Sequence, residues 1–373
     1  MSDAILNGDN PYATYRYNYA PTSAYLISSI RWLQETLWPT VGPHITEGLL
    51  KESSALPFHL FMCLFLCCID GAIAYLLKHF NPIAAIIFLL HPAIILLTGF
   101  HSQIENLGIL FLLLSIFELK NKKRFYLATI WMILSLQMKH LAIFFPIWML
   151  FRSELNIRQK GLYLSLPLGI FFLSFQPFLL DPVAREALNS LTFRHSSFHL
   201  SAFWPTFFDA FIPVSGIEMI GDKLGLQNSF KLTFFSIVLL AGYYLRNIPL
   251  QYLPILYCAI FTTFASGIAD QYLMIPMVYM AVFWRNPFTL TFGLLVTMLL
   301  CASHYNIGSH DALLEVNRLV RGLGWMRWHP LAWIFVDLIW RLYESWRQKN
   351  TLVFTHQIPL TLPPNSASSQ GAA

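Results

Sequence analysis

Charge is what this sequence has least of. Asp, Glu, Lys and Arg make up 12% of its 373 residues, against roughly 25% in soluble globular chains, which argues against an ordinary soluble domain. The 24 basic and 19 acidic residues leave a net charge of +5, and no basic block is long enough for a nucleic-acid-binding tail, so nucleic acid is not expected as a partner. Cysteine is scarce as well. Cys63, Cys67, Cys68, Cys258 and Cys301 lie in apolar runs, without zinc spacing or the loop positions of a disulfide framework, and read as apolar filler. There is no Walker loop, Ser/His/Asp elbow or dinucleotide fingerprint, so chemistry on soluble nucleotides has no visible site. The opening residues lack a basic stretch followed by an apolar one, and no signal peptide is expected.

Apolar sequence is abundant: 56% of the residues are hydrophobic and 16% aromatic, with mean hydropathy +0.54. Apolar runs recur along the chain with short turns between them, which predicts one all-α polytopic membrane domain. Eleven segments qualify: 56–77, 82–99, 103–119, 124–138, 141–151, 161–180, 232–246, 249–266, 271–285, 287–304 and 329–345. The fourth and fifth are short, and the polar Gln137-Met138-Lys139-His140 between them suggests two half-helices meeting within the membrane or near its surface.

Lys and Arg in short loops set orientation. Placing Lys120-Asn121-Lys122-Lys123-Arg124 in the cytoplasm puts thirteen of the 24 basic residues on tight cytoplasmic turns and the tail. The organisation expected is 1–55 as an extracytoplasmic first loop with an interfacial helix, 56–180 as a first helix group and 181–231 as a large extracytoplasmic loop. A second helix group, 232–345, and a disordered cytoplasmic tail, 346–373, complete it. Function is expected on the extracytoplasmic face, where the long loops lie. An odd number of spans leaves the N-terminus outside, as though a first helix were missing.

Several polar clusters fall on that face. His101, Gln103, Glu105 and Asn106 lie between two apolar segments; they either form a solvated turn with Glu105 at a helix N-terminus or face a cavity and bind an acceptor hydroxyl or phosphate. Lys139 and His140 stand at the break, where an ammonium suits a lipid phosphate or snorkels from a helix end. In the large loop Arg194, His195 and His199 either pack structurally or hold a phosphate. His195 and His199 also have helical metal spacing, without an evident third ligand; no cofactor is assigned, and a divalent metal stays open. Asp270 and Gln271 cap a helix or touch the same ligand. Asp70, nearer the cytoplasmic end of its helix, reads as a paired structural carboxylate facing away from the other candidates. Gly8-Asp9-Asn10-Pro11-Tyr12, further tyrosines and the amphipathic stretch from Tyr25 to Trp38 suit a membrane interface.

The order of these motifs resembles the GT-C membrane glycosyltransferases, which use polyprenyl- or dolichyl-phosphate sugars. Gly8 to Pro21 is similar to the G-x-x-PY end of their first outer loop, and Pro92 to Asn106 to the P-x-x-I-L-x-D-H-G-H-F-Q-Y-N run of the dolichyl-phosphate-glucose-dependent glucosyltransferases. In that run Thr98, Gly99 and Phe100 replace Asp, His and Gly, while His101 and Gln103 remain. Gln103-Ile104-Glu105 resembles a bacterial Q-x-D, Met138-Lys139-His140 the family's short helix ending in Lys, and Phe193-Arg194-His195 with Phe203-Trp204 its large outer loop.

The resemblance implies inverting transfer of a mannose- or glucose-class hexose from a polyprenyl-phosphate sugar to a lipid-linked or glycan acceptor. The membrane would be a bacterial inner membrane or, in a eukaryote, the endoplasmic reticulum. Glu105 or Asp3 would be the catalytic carboxylate, as base or acceptor anchor; Lys139, His140, Arg194 and Gln271 would hold the donor phosphate; His101, Gln103, Asn106, Tyr12 and His195 would bind substrate. The family's acid lies upstream of G-x-x-PY after a transmembrane helix. Seven residues precede Gly8 here, so a shortened chain without transferase activity is the expectation. The alternatives are a lipid or sugar transporter or flippase, and a non-catalytic membrane subunit.

Overall fold

Proline and asparagine start several of the helices. Pro82 occupies the first turn of one, where its missing N–H costs nothing, and the Asn81 side chain accepts from the Ile83 N–H at 2.9 Å. Asn156 and Gln159 exchange side-chain and backbone hydrogen bonds in a capping box, satisfying two orphan donors.

The computed structural model describes residues 20–38, 50–99, 104–178, 182, 185, 227–265, 270–304 and 329–347. Among them the chain is all-α, with no strand. The helices are α1 (Pro21–Leu37), α2 (Leu50–Leu77), α3 (Pro82–Leu90), α4 (Pro92–Gly99), α5 (Glu105–Phe117), α6 (Phe125–Met138), α7 (Phe145–Leu150) and α8 (Ile157–Ser174). After them come α9 (Gln227–Tyr244), α10 (Leu253–Phe264), α11 (Met277–Val282), α12 (Pro287–His304) and α13 (His329–Arg347). One π-helical turn (Glu118–Lys122) and several 3-10 turns link them.

At the centre α5 packs along α6, flanked by α2 and α8, while α12 pairs with α13 and α10 packs against α13. One apolar core runs through α1 to α13, and a smaller cluster, Ile30, Met62, Leu66 and Ile104, ties α1 to α2. Large apolar side chains also cover much of the outside. Leu64, Leu173 and Leu294 are each about two-thirds exposed (64%, 67% and 66%), a surface that water would penalise and hydrocarbon would not.

The eleven segments are not eleven straight spans. Among the described residues, Pro57–Leu77 and Ile157–Phe178 are the helices long and apolar enough to cross a membrane, and α3 with α4 makes a third crossing if the 53° bend between them is one broken span. The bend falls at His91, where Pro92 cannot donate a helical hydrogen bond. Segments 141–151 and 271–285 likewise divide into a 3-10 turn followed by a six-residue helix, α7 and α11. Pro146 starts α7 and Pro276 caps α11. Apolar runs reveal burial in hydrocarbon or core but not where proline interrupts the ladder.

The amphipathic stretch is helix α1, with Ala24, Ser28 and Ile30 inside and Trp32, Leu37 and Trp38 exposed. Cys67 and Cys68 are exposed on apolar α2, and Cys258 is buried in α10. The tail beyond residue 347, and most of the large loop, lie outside the described residues.

Candidate functional site at a helix break

Helix α6 stops at Met138 because Lys139 turns to extended backbone, φ −149° and ψ 128°. The chain resumes as a 3-10 turn, His140–Ala142. A helix break inside the packed bundle leaves carbonyls that apolar surroundings cannot satisfy, and neighbouring side chains supply the donors. Ser23 of α1 donates to Met138 O at 2.6 Å and to Gln137 O at 3.0 Å. Tyr257 of α10 donates to Leu141 O at 2.8 Å and accepts from the Phe144 N–H at 3.3 Å. Gln137 donates to Ile170 O of α8 at 3.1 Å and accepts from Thr22 at 2.7 Å. The break is thus fixed from three helices.

A fourth helix, α5, supplies the charge. Glu105 lies in its first turn, where the helix dipole favours an anion, and Glu105 Oε1 is 3.2 Å from Lys139 Nζ. Neither side chain is more than 1% exposed. Lys139 Nζ also lies 4.8 Å from the centre of the Tyr272 ring, which belongs to the 3-10 turn Asp270–Met274.

Close approach of α5 to the break depends on Gly108. A Cβ there would stand 3.3 Å from Lys139 Cβ, and Ser135 donates to Gly108 O at 2.7 Å. His140 is buried beside Lys139.

Asn106, the next residue of α5, joins a second acid to the cluster. Its side-chain N–H donates to Asp70 Oδ1, and Thr98 donates to Asp70 Oδ2 at 2.7 Å. Asp70 therefore faces the α5 N-terminus, and the expectation that it points away from the other candidates is corrected. It sits about 10 Å from the Leu77 end of α2 at 1.5 Å per residue, and Thr98 and Asn106 reach it from neighbouring helices. Its pairing is with two neutral donors rather than with a cation among the described residues. Asn106 Oδ1 is buried without a hydrogen-bond partner among them.

The structure thus brings together Glu105, Asn106, Lys139 and His140, which sequence had nominated from two separate stretches. It joins Glu105 and Lys139 in one ion pair, where sequence had given them different tasks. Gln271 lies in the turn that carries Tyr272. Asp3, Tyr12, His101, Gln103, Arg194 and His195 lie outside the described residues. Sequence reasoning passed over Asp70, Thr98, Gly108, Ser135 and Tyr272 as members of this cluster. The one available signal was the low frequency of acids in apolar helices, which singles out Asp70. Among the described residues no group of three His, Cys, Asp or Glu side chains could hold a metal ion.

Chemically, a buried ammonium and carboxylate in contact can open to receive an anion at Lys139 and leave Glu105 as a proton acceptor. Compared with protein-family models, curated proteins and solved structures, the chain gave no match.

Proposed function

We propose that the chain is a polytopic integral-membrane glycosyltransferase. It would transfer a mannose- or glucose-class hexose from a polyprenyl-phosphate sugar to a lipid-linked or glycan acceptor on the extracytoplasmic face. The observation that carries the reading is the fully buried Glu105–Lys139 pair at a helix break inside an apolar bundle. Ionisable groups at such depth are expensive and mark ligand paths. Both residues come from the stretches in which the resemblance to lipid-phosphate-sugar transferases resides.

In this reading the pair is the resting state. The donor phosphate takes Glu105's place beside Lys139, with Tyr272 behind the ammonium, and the released carboxylate accepts the proton of the acceptor hydroxyl. That oxygen bonds to the anomeric carbon from the face opposite the phosphate, and the carbon–oxygen bond to phosphate breaks. The electron pair leaves on polyprenyl phosphate, whose charge Lys139 offsets, and the configuration inverts.

The test is transfer by the purified protein in lipid, using radiolabelled polyprenyl-phosphate mannose or glucose and a lipid-linked acceptor. Labelled product is expected from wild type, with buried Glu105 serving as base in place of the upstream acid whose lack suggested inactivity, and not from Glu105→Gln. Binding of the donor without product would favour the alternative, a lipid or sugar transporter or flippase. That alternative draws on the bend at His91 and the break at Lys139, because discontinuous helices frame substrate sites in transporters.

A further inference from the structure

Asp70 is 5% exposed, and the two groups that reach its carboxylate, Thr98 at 2% and Asn106 at 1%, are buried as deeply. Both are neutral donors, one to each carboxylate oxygen, and no cation meets Asp70 among the described residues. Glu105, one residue before Asn106, has its charge offset by Lys139. An ionised carboxylate away from water costs more than two neutral hydrogen bonds return, so a proton or a cation has to complete the cluster.

A second polar atom decides between them. Asn106 Oδ1 is buried with no hydrogen-bond partner among the described residues, while the nitrogen of the same amide donates to Asp70. A proton on Asp70 would neutralise the carboxyl and leave that carbonyl oxygen unsatisfied. A small cation beside both satisfies both, and the Thr98 hydroxyl, 2.7 Å from Asp70 Oδ2, keeps a lone pair for it. Carboxylate, amide carbonyl and hydroxyl are the oxygen donors that hard cations take. One carboxylate balances one positive charge, whereas a divalent ion would leave a net charge in the apolar interior.

The backbone brings the three residues together at helix ends. Thr98 lies in the last turn of α4, the end that carries partial negative charge. Cys63, about two turns before Asp70 on α2, donates to Gly99 O at 2.8 Å and ties that end to α2. Asn106 stands in the first turn of α5, whose positive end Glu105 offsets. C-terminal ends of discontinuous helices coordinate sodium ions in membrane transporters by the same means.

We infer that Asp70, Thr98 and Asn106 form a binding site for a monovalent alkali cation such as sodium, held by carboxylate, hydroxyl and amide carbonyl oxygens between α2, α4 and α5. The ion fixes the first turn of α5 and with it the neighbouring Glu105. The inference does not depend on transferase chemistry.

The experiment measures radioactive sodium retained by the full-length protein purified in detergent, with choline chloride holding ionic strength constant. Saturable retention of one ion per chain is expected, lost in Asp70→Asn and weakened about tenfold or more in Thr98→Val, the worth of a polar contact to a charge. Sodium in place of choline should raise the Tm of wild type and leave that of Asp70→Asn unmoved, and the same melts show that both variants are folded. Absence of saturable retention would leave a proton as the counter-charge and overturn the inference. Retention undiminished in folded Asp70→Asn, or displacement by calcium at lower concentration than by unlabelled sodium, would overturn it as well.

Discussion

Lys139 Nζ and Glu105 Oε1 stand 3.2 Å apart with both side chains out of reach of solvent, so each charge offsets the other where water cannot. Removing one partner of a buried pair typically costs about 3–5 kcal/mol, whereas removing both can be near neutral. Lys139→Met and Glu105→Gln should each lower stability by about that amount, and the double variant should recover much of the loss. Equilibrium unfolding in detergent measures it. Additive losses would show that the two charges are not coupled.

Two of the close helix approaches give a packing prediction. A Cβ on Gly242 of α9 would lie 2.6 Å from Trp148 Cδ1, and the Trp148 indole is held by its hydrogen bond to Val238 O at 2.9 Å. Gly242→Ala should cost about 1–3 kcal/mol, the usual range for overpacking a filled core. At Gly108 the neighbour is Lys139 Cβ at 3.3 Å, so Gly108→Ala should be milder for stability but should disturb the break. Thermal unfolding ranks the two; a Gly242→Ala protein as stable as wild type would refute the packing at α9.

Outside the spanning segments, one acid gives a pH prediction. Burial raises the Glu154 carboxyl, but hydrogen bonds and charge from Arg152 outweigh it and leave its pKa below the ordinary value. Arg152 Nε donates to Glu154 Oε2 at 3.0 Å, while its guanidinium also donates to Ile248 O at 2.6 Å. A depressed folded pKa means that the contribution is full above the ordinary carboxylate range and is lost as pH falls through the folded value. The Tm gap between wild type and Glu154→Gln should therefore close in acid. A gap constant across pH would contradict the assignment.

How much of this was readable beforehand varies by residue. The break at Lys139 was legible, because three polar residues, Gln137, Lys139 and His140, interrupt an apolar run and local hydrogen bonding has few alternatives there. The helix start at Pro82 was legible for the same local reason, whereas the helix that Asn156 caps at Ile157 was read only from 161, because polar Arg158, Gln159 and Lys160 precede the apolar run. Asp70 was not, since its partners Thr98 and Asn106 are 28 and 36 residues away and only tertiary packing brings them together. Arg152 is one of the thirteen basic residues assigned to the cytoplasmic turns and tail. Its guanidinium is instead buried against backbone carbonyls of 246 and 248, a role that loop charge cannot reveal. Tyr272 is one of 16 tyrosines, and nothing in its neighbourhood marks it as the ring under Lys139.

The last prediction separates the two halves of the proposed chemistry. If Glu105 takes the acceptor proton, Glu105→Gln should lower single-turnover transfer by about a hundred- to ten-thousandfold, the usual contribution of general-base catalysis, with donor affinity little changed. If Lys139 holds the phosphate, Lys139→Met should weaken donor binding first and slow transfer at saturating donor by a smaller factor. The stability measurements above identify any loss that is only misfolding, and the double variant, with the buried charges removed together, should be folded and inactive. Transfer that survives Glu105→Gln would move the base elsewhere. Asp70, joined to the same cluster through Asn106, would then be the next carboxylate to replace, and Asp70→Asn would be expected to abolish the residual rate.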